Sequence, residues 1–477
     1  MLGQMTDSTI ESTLGHDHGV LPARLESELQ KLATCGSRWV ACAPGTLDVM
    51  GGIAECTGSL TISTPTQAPV WVAVAPRDDQ SLRVVCAGAN GSPSVQVDWK
   101  LGDYYGGESP ATPDVMQQRT ANLPCARARG VVSAGYVLLE SGVTPHLNGG
   151  FTVMVESSLG GGVDCREVAA VQAGTIAALA RAMGAELDER RIASLAQRAQ
   201  HLVAAFPSGI ATHAAPVIGV PGEFLQVCCQ PFEIAGPLDT PDGVTVIGID
   251  CGARHAQADG KYAQARVTAL MGREMIRRIV TLTDGESGHW NGYLARCSVT
   301  DYVDRFRDRL PTKVKGSVYL EHFGPLNEAM AEIEPGAVYK VRSRAEHHIY
   351  ENDRVRQFAE RLARAARTGE RGTIEEAGEL MYASHWSYGQ RCGLGSIETD
   401  LLVNLLRGVG PQGGVFGARI SGCGAGGTVV ALIEDSEQTR GAIQRALDSY
   451  QDRTGKSVSL LQAAPRNGVR FMVQQLD

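Results

Sequence analysis

The sequence predicts an α+β fold in two domains, and three observations predict it. Strand-like and helix-like stretches are interleaved without the regular βαβ alternation of a doubly wound parallel sheet. The 477 residues are enough for two or three domains, each with a sizeable core. Two glycine-rich loops, at 160–162 and 422–427, each follow a strand-like stretch.

The elements run in order as follows. Residues 1–20 are polar and read as a flexible arm; a helical pattern with a proline near its start covers 22–34. RWVACAP runs as a strand into a turn at Pro44-Gly45, and 69–77 and 82–88 are β-branched strands. The stretch 102–124 reads as a polar loop. A strand at 150–157 leads through Gly160-Gly161-Gly162 into an apolar-periodic helix from Arg166, and a second helix covers about 187–205. FLQVCCQP and VTVIGIDCG are strands. Residues 262–282, 326–333 and 351–380 are charged and read as helical, as does LLVNLLRGV. ARIS is a strand, the stretch after the second glycine loop is a strand or the start of a helix, and an amphipathic helix covers 437–455.

Composition narrows the function classes. The chain is 43% hydrophobic and 20% charged, an ordinary globular balance. Its net charge of −8 leaves no basic footprint for nucleic acid and disfavours an anionic membrane surface. There is no apolar run of membrane-spanning length, and the polar start lacks the basic-then-apolar pattern of a signal peptide, so the expected location is the cytoplasm. The 12 cysteines are scattered, with one adjacent pair at Cys228 and Cys229 and no C-x-x-C, so buried free thiols are expected. Cys165 and Cys423 differ in lying within the glycine-rich loops. The sequence leaves the oligomeric state open.

The glycine loops carry the chemical signal. Consecutive glycines let backbone N–H groups turn inward, and a following helix adds its positive N-terminus, so strand–Gly160-Gly161-Gly162–helix is a phosphate cradle in principle. It is neither a Walker A loop nor a dinucleotide fingerprint, and a tight packed turn reads equally from the same residues. Gly422-Cys423-Gly424-Ala425-Gly426-Gly427 allows the same close backbone approach.

Together the segments resemble one family. APGTLDVMGGIAECTGS (43–59), SSLGGGVDCREVAA (157–170) and ISGCGAGGTVV (420–430) are similar, in this order, to the three motifs of the GHMP kinases. The first is most like the arabinokinase branch, as are 230–255, 261–276, 347–358 and 381–403. The resemblance covers about 36–435 and implies a ribosomal-S5-like N-terminal domain, here 31–235 after an arm at 1–30, and a ferredoxin-like α+β C-terminal domain at 236–477. It further implies ATP, Mg²⁺ and a small-molecule sugar in the cleft between them, with phosphoryl transfer to a sugar hydroxyl.

Several positions depart from the family pattern. The arginine that follows P-G, near the transferred phosphoryl, is here Thr46, which has no charge to offer. The aspartate that faces the sugar hydroxyl is Thr212, within SGIATHAAP; the neighbouring His213 titrates in a suitable range and is an alternative base. The hydroxyl-rich phosphate loop becomes Gly160-Gly161-Gly162-Val163-Asp164-Cys165. Asp164 has two readings, a ligand for Mg²⁺ or the N-cap of the helix that follows. On the sugar side the resemblance points to Asp48, Gly52 and Glu55; on the late loop, to Gly422, Gly424, Gly426 and Gly427. A sugar kinase with an altered site and a silent sugar- or nucleotide-binding relative are both compatible with this pattern.

Overall fold

The computed structural model describes residues 21–31, 36–88, 94–144, 146–147, 149–159, 165–253, 260–284, 290, 292–424 and 427–476. Residues 1–20, 160–164 and 425–426 therefore lie outside the described residues, and with them the first 20 residues of the expected arm, Gly160, Gly161, Gly162, Val163, Asp164, the Cys165 side chain and Gly426; the rest of the expected arm holds the helix Ala23–Gln30.

Two sheets organise the chain. The first contains β1 (Arg38–Met50), β2 (Leu60–Arg77), β3 (Ser81–Cys86), β4 (Val95–Lys100), β5 (Gly150–Ser157), β6 (Phe224–Cys228) and β7 (Glu233–Leu238). The second begins with β8 (Val244–Asp250), and a small ladder is made by β9 (Val314–Lys315) and β10 (Val338–Tyr339). β11 (Val415–Ile420), β12 (Thr428–Glu434) and β13 (Ser459–Gln462) join β8, and β14 (Met472–Leu476) returns to the first sheet. The orders are β14-β1-β2-β5-β3-β4, with β6 on β2 and β7 on β6, and β11-β12-β8-β13. Of these pairings, β3 with β5 is parallel and the others are antiparallel. The chain leaves the first sheet between Leu238 and Val244 and comes back at Met472, so both sheets draw on the C-terminal third.

Burial follows from strand alternation and helix stripes. One face of the first sheet presents Ala41, Val70, Val72, Val74, Val84 and Val153 to the helices Ala126–Glu140, Cys165–Ala182 and Glu189–Leu202. Each such valine taken fully out of water contributes about 1.5–3 kcal/mol. The opposite face, with Val40, Cys42, Trp71 and Ala73, is covered by Leu25 and Leu29 of the helix Ala23–Gln30.

Some local expectations change. The segment after the second glycine loop is strand β12, because its apolar residues pair with both β8 and β11. Residues 326–333 are not helical. The polar stretch 102–124 contains a helix, Pro113–Thr120, started by its proline. The helical 351–380 region is two helices, Val341–Thr368 and Arg371–Ser387, separated where Gly369 turns left-handed at φ 70°. No helix among the described residues is long and apolar enough to cross a membrane.

Candidate functional site

β1 is irregular where the first motif lies. Its register against β2 shifts between Pro44 and Thr46 and again between Asp48 and Met50. Bulges of this kind bend a strand and re-aim its side chains. Beyond Met50 the chain tightens into the 3₁₀ turn Gly52–Thr57, which carries Glu55.

Thr46 and Thr212 meet. Thr46 is buried, and its Oγ1 donates to the Thr212 carbonyl at 3.4 Å. Thr212 is half-buried in the first turn of the helix Ile210–Ile218. The two positions where the resemblance expects a cation and a carboxylate are thus adjacent and both neutral.

The next residue faces elsewhere. His213 is 1% exposed, and its Nε2 lies 2.9 Å from Ser208 Oγ. Burial, with a smaller contribution from His201, lowers its pKa to about 3. A general base at neutral pH needs a value nearer 7, so this imidazole is ill suited to the alternative role considered for it.

Glu55 sits at the start of the same helix. Gly209, the N-cap residue, has no side chain to satisfy the first N–H groups. The Glu55 carboxyl packs against this helix start instead, where the N–H groups of Ala211 and Gly209 favour its ionised form. A Cβ on Gly209 would stand 1.6 Å from Glu55 Cδ, so only glycine permits this approach. Burial, and then the nearby Asp48 charge, raise the Glu55 pKa to about 8 against the opposing effect of those N–H groups. A carboxyl is thereby held within the bend that also holds Thr46 and Thr212.

Asp48, expected on the sugar side, is committed to a different task. Its Oδ1 accepts from Gly52 N at 3.1 Å. Its Oδ2 accepts from Gly422 N at 2.9 Å and from Arg419 Nη1 at 2.8 Å. The reason is electrostatic: Arg419 on β11 is fully buried, and Asp48 and Glu351 hold it charged against the effect of burial. Ser384 Oγ donates to Glu351 at 2.6 Å and accepts from Arg419 Nε at 3.0 Å, which completes the network. Tyr388 reinforces it. Its hydroxyl accepts from Ile53 N at 2.7 Å and donates to the Gly422 carbonyl at 2.9 Å. Gly52, at φ 47°, has no room for a Cβ, which would lie 1.6 Å from that hydroxyl oxygen. Sequence reasoning missed Arg419, Glu351, Ser384 and Tyr388; the signal available was a lone arginine in an otherwise apolar strand, ARIS.

The late loop is held at both ends. Ser421 N donates to the Thr428 carbonyl at 2.8 Å, Gly395 N to Gly424 at 3.1 Å and Cys251 N to Gly427 at 3.0 Å. The first turn of the helix Cys165–Ala182 is its neighbour: Arg166 Nη2 donates to Thr428 Oγ1 at 2.9 Å. Gly45 packs against Leu159, where a Cβ would come within 2.6 Å of the leucine side chain. The residues flanking all three glycine-bearing motifs are therefore in mutual reach.

These flanks fit a polyanion in part. Arg166 supplies a cation and Thr428 a hydroxyl beside the helix N-terminus. Among the described residues there is no group of three or more acidic, histidine or cysteine side chains able to hold a metal. Mg²⁺ in such sites uses one or two carboxylates together with substrate phosphates, so no such cluster is required.

Similarity to known proteins extends over most of the chain. Residues 360–452 match the family described as "GHMP kinases C terminal". An L-arabinokinase of Arabidopsis thaliana is 29% identical over 469 residues, covering 87% of this chain and 45% of that protein, so the chain spans less than half of that relative's length. A galactokinase of Chloroflexus aggregans is 24% identical and covers 90% of this chain and 92% of its own. In structure, Lactococcus lactis galactokinase complexed with galactose superposes with a TM-score of 0.66 at 17% identity, covering 94% and 98% of the two chains. The Methanococcus jannaschii mevalonate kinase gives a TM-score of 0.55 at 13% identity, covering 90% and 99%. The chain has the fold of the GHMP kinases and carries their C-terminal domain over 360–452, with an L-arabinokinase and a galactokinase among its homologues.

Proposed function

We propose that the chain binds a monosaccharide and Mg-ATP as a protein of the galactokinase and L-arabinokinase type, and that it is a strongly attenuated phosphotransferase toward a sugar hydroxyl. The observation that carries the reading is the Thr46–Thr212 contact beside a retained Glu55 carboxyl. Sugar recognition needs hydrogen-bonding groups in a fixed frame, and Glu55, anchored at a helix N-terminus, is one. Phosphoryl transfer depends on positioning and charge. Positioning is supported by the clasp of Asp48, Tyr388 and Arg419, which locks the first motif to the late loop. Charge is depleted, because neither threonine replaces a guanidinium or a carboxylate. Arg166 is the described cation placed to meet phosphate oxygens, and Asp164 is the candidate to share in holding Mg²⁺. Mg-ATP, when bound, supplies the phosphoryl group and screens its charge.

The same contact favours a second reading, a silent sensor that binds without transfer. Two measurements on one sample separate the possibilities. Millimolar Mg-ATP and a panel of monosaccharides should each raise the thermal midpoint, since ligands of the native state stabilise it. ATP consumption over the panel should be slow but should depend on one sugar. Binding without any sugar-dependent consumption selects the sensor, and no midpoint shift with ATP or any sugar overturns both readings.

A further inference from the structure

One buried hydroxyl joins the turn that carries Glu55 to the late glycine loop. The first N–H groups of a helical turn have no partner within it, and Gly51, the N-cap residue of the turn Gly52–Thr57, offers no side chain. Ile53 N donates instead to the Tyr388 hydroxyl at 2.7 Å, and that hydroxyl donates onward to the Gly422 carbonyl at 2.9 Å. Asp48 Oδ2 accepts from Gly422 N, so Gly422 is held on both sides. The Gly422 carbonyl and the Cys423 N–H share one planar unit, and fixing one fixes the other.

Tyr388 itself has little freedom. The helix Arg371–Ser387 passes into a π turn, Tyr388–Cys392, a rare geometry that often marks functional positions. The side chain is fully buried. Arg419 Cζ lies 5.1 Å from its ring centroid, and the His347 ring meets it edge-on at 4.8 Å. On the loop side, a Cβ on Gly424 would come within 2.8 Å of the ring. A side chain packed this closely passes a displacement on rather than absorbing it. Burial raises the phenol pKa well above its ordinary value, so the hydroxyl keeps the proton that it gives to Gly422.

We propose that Tyr388 is a positioning residue that couples the two subsites, so that a monosaccharide on the Gly52–Thr57 turn and a nucleotide against the late loop each tighten the binding of the other. The inference rests on the reading of the chain as a binder of sugar and Mg-ATP. A sugar hydroxyl bonded to Glu55 fixes the turn, the turn holds Ile53 N on the Tyr388 hydroxyl, and the hydroxyl holds the Gly422 carbonyl. The loop then loses less freedom when phosphates arrive, which favours their binding. Linkage makes the effect reciprocal.

Calorimetry on the full chain tests this. The Mg²⁺ complex of AMP-PNP is titrated with and without saturating D-galactose or L-arabinose as probes, for wild type, Tyr388→Phe and Tyr382→Phe. Tyr382 lies in the same helix, is buried and has a hydroxyl without a hydrogen-bond partner among the described residues, so it controls for removal of a buried phenol oxygen. In wild type the sugar should tighten nucleotide binding about tenfold, within the usual range for coupled sites. The gain should vanish in Tyr388→Phe, where each ligand still binds alone, and persist in Tyr382→Phe. Wild type that binds both probes independently overturns the inference while the kinase-type reading stands, as does coupling that survives in Tyr388→Phe or is lost equally in Tyr382→Phe. Wild type that does not bind the nucleotide, or binds neither sugar, sinks both. Should Tyr388→Phe fail to fold, hydrogen exchange in wild type decides. Sugar alone should slow exchange around 420–424 as well as in the Gly52–Thr57 turn, and protection confined to the turn overturns the coupling.

Discussion

Replacing Thr46 by Arg and Thr212 by Asp together should raise sugar-dependent ATP turnover by about 10²-fold or more. A single preorganised group that stabilises developing charge is often worth about 10²–10³ in rate, and a positioned acid or base about 10²–10⁴. The two sites are already adjacent, with Thr46 Oγ1 3.4 Å from the Thr212 carbonyl oxygen, so the new charges would lie near one another. Thr212 is half-buried in the first turn of its helix, where a carboxylate is favoured by the helix dipole. Thr46 is buried, so Thr46→Arg is the harder change, and Thr212→Asp alone serves as the control for folding. Introduced together, the charges compensate each other, and the arginine should also draw Glu55 toward its ionised form. If the double variant folds and binds Mg-ATP yet shows no gain, the missing pair is not what limits transfer. The altered loop at 160–164 then becomes the limiting feature.

Replacing Glu55 by Gln should remove a large part of the pH dependence of stability between pH 4.5 and 8. The folded carboxyl has a pKa of about 8, raised from 4.5 by burial first and by Asp48 second. The folded state therefore binds this proton more tightly than the unfolded chain. Its contribution is fully present below the unfolded value and is lost as pH rises through the window. The slope approaches about 1.4 kcal/mol per pH unit for one proton. The glutamine variant lacks the term, so its stability relative to wild type should improve steadily from pH 5 to pH 8 and then level off. Urea unfolding at four or five pH values measures the difference. The buried neutral His213, His347 and His348 act in the opposite sense on the acid side, but they are common to both proteins and cancel. Parallel curves across the window would mean that Glu55 ionises as an exposed carboxyl does.

The sequence was most legible where backbone chemistry is local. The strand-to-glycine-loop segments were readable because few residues other than glycine allow close approach. In the late loop, Gly424 and Gly427, both at φ 74°, show such an approach, where a Cβ would come within 2.8 Å of Tyr388 and 2.6 Å of the Ala253 carbonyl oxygen. Thr46 and Thr212 were legible as residues to single out, because the motif resemblance points to those two positions. Their contact was not, since it joins residues 166 apart in the chain. Asp48 illustrates the limit better. A carboxylate beside a sugar-loop motif reads as a substrate ligand, yet its partners are Arg419 and Gly422, more than 370 residues away. Burial of that arginine is a tertiary fact with no local signature. The helix Ala126–Glu140 left no amphipathic trace because 11 of its 15 residues are buried, so a period of 3.6 has no polar face to mark it. β14 is short and ends in QQL, and it earns its place only by pairing with β1.

A crystal of the protein soaked with Mg²⁺, a non-hydrolysable ATP analogue and the sugar giving the largest thermal shift tests the central idea most directly. The phosphates should lie between Arg166 and the 422–427 loop, with a sugar hydroxyl hydrogen-bonded to Glu55 and no charged side chain within contact of the γ-phosphate from position 46 or 212. A nucleotide bound elsewhere, or a sugar that leaves Glu55 untouched, would contradict it.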